Sequence, residues 1–219
     1  MNKKIFWIIK LFIVLIMFIA AYYVYPAMPE KFPTHWNYAG QIDGYSPKTF
    51  GVFMAPVLTL MLIFLLPLFR FIDPRRERFK QFEKPWEVIQ LILVIFFAYI
   101  FGVTIYMVYN PMASMNTFMM MGMGILFVLL GNYLGKIRQN YTVGIRVPWT
   151  IDNEEVWNKT HRLGGWCFVI AGLIFMINAY FNFMSWLIFI LAIILAAGVP
   201  IIYSYIIFRQ LKGKQRLTD

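Results

Sequence analysis

VIQLILVIFFAYIFGVTIYMVY, residues Val88–Tyr109, carries no ionisable acid or base other than its tyrosines. At a helical rise of about 1.5 Å per residue the run is long enough to cross a hydrocarbon core roughly 30 Å thick. Five further runs have the same character: Ile5–Tyr25, Phe50–Phe69, Thr117–Leu134, Gly165–Phe181 and Met184–Phe208. Pro-rich or charge-rich stretches, which a helix in lipid could not accommodate, lie between them. The sequence therefore predicts an all-α integral membrane protein with six transmembrane helices. The fourth and fifth runs are short for a full span and should recruit polar flanks such as Asn116, Asn132 and Asn182.

Composition agrees with this reading. Of 219 residues, 61% are apolar and 14% charged, against roughly 45–50% and about 25% in soluble domains. An ordinary soluble globule is excluded. Lys3 and Lys4 ahead of an apolar run also resemble a secretory signal, but the length of the run and its Tyr22-Tyr23-Val24-Tyr25 end favour a retained helix. Lys10, one turn into that helix, should snorkel to the surface. The single cysteine, Cys167, cannot form an intramolecular disulfide.

The charges set an expected orientation. Net charge is +10, and 18 of the 20 basic residues fall on the termini and the second and fourth connections. By the positive-inside rule both termini are cytoplasmic. Basic residues clustered beside spans read as contacts to the lipid bilayer, not as a direct nucleic-acid surface. Lys10 apart, the spans lack Lys, Arg, Asp, Glu and His, which weakens an ion-coupled transporter. Thr104, Asn132 and Asn178 are expected to hydrogen-bond between helices. In span four, Met119, Met120, Met121 and Met123 precede Gly131-x-x-x-Gly135; close helix packing is a better reading than Cu(I) ligation.

The chain divides into an N-terminal two-helix unit (1–70) with an extracytoplasmic loop (26–49), a basic cytoplasmic linker (71–87), and a four-helix unit (88–219) with a cytoplasmic loop (135–164). The two long loops are where a site belongs. In the outer loop Pro26, Pro29 and Pro33 favour extended chain, and Asp43-Gly44 marks a tight turn. His35, Trp36, Asn37, Tyr38 and Asp43 offer donors, acceptors and flat apolar faces for a peptide. Glu30, His35 and Asp43 have no metal-ligand spacing, and neither a metal nor a cofactor is expected. In the inner loop Val147-Pro148-Trp149 should be extended. Asp152-x-x-Glu155 reads as the capped start of a short helix to about Arg162, with Glu155–Lys159 and Trp157–His161 as i,i+4 partners. Asn140, Gly144, Arg146, Pro148, Trp149, Thr150, Trp157, His161 and Arg162 form the candidate surface for a cytoplasmic partner.

Both loops carry a family likeness. Pro29-x-x-x-Pro33-Thr34-His35-Trp36-Asn37-x-x-Gly40-x-x-Asp43, with Lys48, resembles the signature of a bacterial membrane domain of unassigned function. Gly131-Asn132, Lys136, Asn140, Gly144-Ile145-Arg146-x-Pro148-Trp149-Thr150, Trp157 and Thr160-His161-Arg162 resemble the Sdp toxin-immunity family, whose members combine both signatures in six helices. The resemblance implies a protein of the bacterial cytoplasmic membrane that protects against a secreted killing peptide. It further implies that toxin binding is reported by holding a cytosolic transcriptional repressor at the membrane. The competing readings are a membrane enzyme, with Arg146, Glu154, Glu155 and His161 acting on a lipid headgroup, and a small-molecule transporter. No nucleophile–base spacing supports the enzyme, so the chain is read as non-enzymatic.

Overall fold

The computed structural model describes residues 2–37, 39–181 and 185–215. Among them six helical stretches are long and apolar enough to cross a membrane: Lys3–Ala27, Lys48–Ile72, Arg76–Tyr109, Met115–Leu134, Glu154–Phe181 and Trp186–Gly213. The elements in order are α1 (Lys3–Val24), β1 (Lys31–Trp36), β2 (Ile42–Pro47), α2 (Lys48–Ile72), α3 (Glu83–Tyr109), α4 (Met115–Leu134), α5 (Pro148–Asp152), α6 (Glu154–Phe181), α7 (Ser185–Ile193) and α8 (Val199–Gln215). A 3-10 segment, Arg76–Phe82, precedes α3, and a π turn, Ile194–Gly198, joins α7 to α8.

The fold is two packed groups sharing α3. In the first, Val14, Met17 and Ala21 of α1, Val52 and Ile63 of α2, and Val94 and Phe101 of α3 form one buried cluster, which Phe32 of β1 enters from above. In the second, α4 and α6 meet backbone to backbone. A Cβ on Gly131 would stand 2.6 Å from the Gly165 carbonyl oxygen, and one on Gly172 equally close to that of Gly124. Only glycine permits that approach, and beside the seam Phe127 stacks on Phe168 and meets Phe175 edge to face. Gly131 thus serves close packing as the sequence suggested, but its partner is Gly165 of α6, and Gly135 is less tightly placed.

Several local expectations are corrected. Lys10 does not reach the surface: it is fully buried, bonded to Glu87 and Gln90 of α3, each at 2.9 Å. Short of the headgroups, a cation with a carboxylate in reach pairs inward. Thr104 and Asn132 donate to Ile100 and Val128 of their own helices, not across helices. The 26–49 connection holds a β-hairpin in which Asn37 N donates to the Gln41 carbonyl and Gly40, at φ 77°, donates to that of Asn37, while Asp43 and Gly44 sit within β2. Val147 is extended, but Pro148 and Trp149 open α5, since Pro suits a first helical turn. The helix starting near Glu155 does not end at Arg162. Asn153 caps it through Glu155 N and Val156 N, at 2.9 and 3.0 Å, and it runs on as α6 to Phe181 because Gly164 and Gly165 pack against α4. This supplies the fifth span with the length it lacked. Asn182 lies outside the described residues.

Candidate functional site

The hairpin forms a roof over one end of the bundle. Its register pairs Lys31 with Pro47, Phe32 with Ser46, Pro33 with Tyr45, His35 with Gly44 and Trp36 with Ile42, with irregularities on either side of His35. Phe32 is pinned over Gly51 of α2, where a Cβ would meet its ring at 2.5 Å. Asn37 closes the turn: its Oδ1 accepts from Ala39 N at 2.9 Å and Gln41 N at 3.0 Å. His35 Nδ1 meets Asp43 Oδ1 at 2.5 Å on the exposed face, an imidazole–carboxylate pair that braces the two strands. Trp36, half-buried, rests on the cluster of Val103, Met107 and Met115 from α3 and α4. Tyr38 falls outside the described residues.

Beneath this roof is a cavity of about 370 Å³. Its floor is apolar, from Ala55 of α2, Phe101 of α3 and Met119 of α4; Trp36 closes one wall, and His35, Asn37 and Asn116 supply polar edges. An apolar pocket with a few convergent polar groups is the general form of a ligand site. Of the outer residues singled out in the sequence, His35, Trp36 and Asn37 line the cavity, and Asp43 acts on it through His35. Its floor, Ala55, Phe101 and Met119, was not legible as a cavity lining, because apolar residues inside spans look alike whether they face lipid, core or a cavity.

The opposite end is capped by the segment between α4 and α6. Asn140, fully buried, accepts from Thr142 N and Val143 N and donates to the carbonyls of Arg138 and Val143, all within 3.0 Å. Asp73, outside every residue set drawn from the sequence, is 2% exposed and accepts from Tyr141 N and Thr142 Oγ1 at 2.8 and 2.9 Å. Arg78 reaches Gln139 and Glu154, and Gln139 in turn donates to the carbonyls of Thr150 and Ile151. The 71–87 stretch is thereby packed onto the cap, with Phe79 and Phe82 buried.

His161 lies flat on Trp157, ring centroids 4.0 Å apart, and both are fully buried. Its Nε2 accepts from Ile145 N at 2.9 Å, so the proton is on Nδ1, which donates to the Trp157 carbonyl at 2.9 Å. Trp157 Nε1 donates to the Ile137 carbonyl and Thr150 Oγ1 to that of Ile145. Gly144, at φ 117°, passes over His161 where a Cβ would collide with Nε2. The buried Asn140, Thr150, Trp157 and His161 hold the cap together. Arg146, Pro148 and Arg162 face outward, and Trp149 is half-buried, its Nε1 donating to Ser204 of α8 at 2.6 Å. Trp149 and Pro148 border an open groove of about 500 Å³ with Arg75, Tyr141, Asp152 and Phe208. Arg146 binds the Tyr141 carbonyl, Glu154 pairs with Arg78 and Glu155 with Lys159.

Comparison with known proteins follows this division. Residues 136–204 match the SdpI/YfhL protein family. The matched residues take in the cap and α6, and leave α4 outside. Residues 12–60, which include the hairpin, match a domain of unknown function, DUF1648. Across both, the chain is similar to Immunity protein SdpI of Bacillus subtilis (strain 168), 25% identical over 209 residues, covering 95% of this chain and 98% of that protein. No solved structure matches. The SdpI/YfhL segment contains every cap residue named in the sequence analysis, and the DUF1648 segment every hairpin residue; Lys10, Glu87 and Gln90 lie outside both.

Proposed function

We propose that the protein is a multi-pass immunity protein of a bacterial cytoplasmic membrane, with both termini cytoplasmic, that protects its cell from a secreted killing peptide. The end-to-end similarity to Immunity protein SdpI supports immunity, and the charge asymmetry supports the orientation. The observation that carries the mechanism is the cavity under the hairpin. It would face outward, with an apolar floor for the hydrophobic face of an amphipathic peptide and His35, Asn37 and Asn116 for its backbone. In this reading the 1–70 unit recognises the peptide, the 71–87 segment couples the units, and the 88–219 unit presents a cytoplasmic face. Arg146, Pro148, Arg162 and the exposed edge of Trp149 form that face, where a cytosolic repressor would dock; Asn140, Thr150, Trp157 and His161 shape it from within, and Gly144 lets the chain pass over His161. The role is binding, not turnover.

Expression of the chain in a bacterium sensitive to such a peptide tests the reading. Survival should rise in proportion to membrane abundance. No protection against any member of a panel of secreted amphipathic killing peptides, at confirmed abundance, would contradict it.

A further inference from the structure

A second cavity, about 150 Å³, lies between the first turns of α1, the last turns of α2 and the first turns of α3, at the same end of the bundle as the cap but lined by other residues. Lys3 and Arg70 border it and share one carboxylate, Glu83, at 3.5 and 3.0 Å. Two cations against one anion leave one positive charge, since the neighbouring Lys10–Glu87 pair is neutral in sum. Deeper in the cavity stand Trp86 and Gln90, 5% and 1% exposed. The indole Nε1 of Trp86 and the amide Nε2 of Gln90 are buried with no hydrogen-bond partner in the protein. The Gln90 amide cannot simply turn round, because its Oε1 is held by Lys10 Nζ at 2.9 Å. A buried unsatisfied donor costs about 1–3 kcal/mol. Here two of them lie one helical turn apart, about 6 Å along α3, beneath a net positive rim at a membrane boundary.

We propose that this cavity binds the phosphate–glycerol portion of an anionic phospholipid. The phosphate oxygens accept from Lys3 and Arg70, displacing Glu83 in part, and the two glycerol ester carbonyls accept from Trp86 and Gln90. The acyl chains run outward past Phe71, which is 69% exposed beside the cavity. A zwitterionic headgroup places a further cation at a rim that is already positive and is disfavoured. Inorganic phosphate satisfies the rim but has no ester carbonyl for the two deeper donors.

The test is thermal unfolding of the full-length protein in neutral detergent, titrated separately with phosphatidylglycerol, phosphatidylcholine and inorganic phosphate. Phosphatidylglycerol should raise Tm saturably, and the other two should raise it much less. Arg70→Gln should weaken the apparent phosphatidylglycerol affinity about tenfold, the loss of one charge-assisted hydrogen bond. Trp86→Phe, which keeps the ring and removes the N–H, should weaken it severalfold, and Glu83→Gln, which removes the competing carboxylate, should strengthen it. Arg209→Gln, on exposed α8, should leave it unchanged. Equal stabilisation by inorganic phosphate or phosphatidylcholine, an equal loss in Arg209→Gln, or no loss in Trp86→Phe would each overturn the site. Should Arg70→Gln fail to fold, the Trp86→Phe and Glu83→Gln titrations still decide it.

Discussion

Lys10 Nζ lies 2.9 Å from a Glu87 carboxylate oxygen inside the bundle, the two side chains 0% and 5% exposed. The pair ties α1 to α3, with Gln90 as second acceptor and the Trp7 ring 4.8 Å from the ammonium. Breaking a buried pair by removing one partner strands the other charge and costs about 3–5 kcal/mol. Lys10→Met and Glu87→Leu should therefore each lower membrane abundance and Tm sharply. The double variant should recover most of the loss, since both charges are gone. Additive losses in the double-mutant cycle would refute the pairing.

Gly144 should be intolerant of any side chain. Gly144→Ala meets both an unfavourable φ and the His161 ring, and should cost about 2 kcal/mol or more. Gly102→Ala, with no atom within 4 Å of the added carbon, should be neutral or slightly stabilising. Thermal unfolding of the two variants checks this; similar Tm values would mean the cap does not depend on the Gly144–His161 contact.

Orientation is testable by labelling in intact cells, in a Cys167→Ser background. Lys31→Cys on the hairpin and Met112→Cys between α3 and α4, both exposed, should react with an impermeant thiol reagent. Asn158→Cys, exposed near the start of α6, should react only after permeabilisation. Reaction of Asn158→Cys in intact cells would invert every side assignment.

The transmembrane architecture was readable because the bilayer imposes length and polarity on each span, and the charge-free run at Val88–Tyr109 meets both demands alone. The hairpin was readable as extended chain from Pro29 and Pro33, but its turn was misplaced. Asp43-Gly44 has turn chemistry, yet Gly44 is used for its missing side chain, since a Cβ there would lie 2.7 Å from that of His35. Asn37 and Gly40 make the turn instead. At the cap, residue type marked the right positions but not their direction. Asn140, Thr150, Trp157 and His161 look like a binding surface in sequence and prove to be buried. Asp73, Gln139 and Glu87 were missed because single polar residues beside spans gain meaning only from partners distant in sequence, as Asp73 does from Tyr141.

The exposed face of the cap separates two kinds of variant. Arg146→Ala removes an exposed side chain whose partner is the nearby Tyr141 carbonyl, and should spare Tm within about 0.5 kcal/mol of stability. Trp149→Ala also breaks the bond to Ser204 and the ring contacts with Tyr205 and Phe208, and should loosen α5 from α8. If a repressor docks here, Arg146→Ala at normal abundance should release it, read by reporter expression, while survival is retained. Loss of survival together with repression control would assign this face to protection itself.

Survival of sensitive cells expressing cavity variants tests the central claim most directly, with membrane abundance matched by immunoblot. Ala55→Phe fills the cavity from α2 and Trp36→Ala removes its wall, whereas Lys31→Ala alters an exposed hairpin charge away from it. A desolvated aromatic anchor contributes about 2 kcal/mol or more to binding and a rim charge little. The account predicts that Ala55→Phe and Trp36→Ala lose protection at peptide concentrations that wild type and Lys31→Ala survive. Full protection by both cavity variants at wild-type abundance would contradict it.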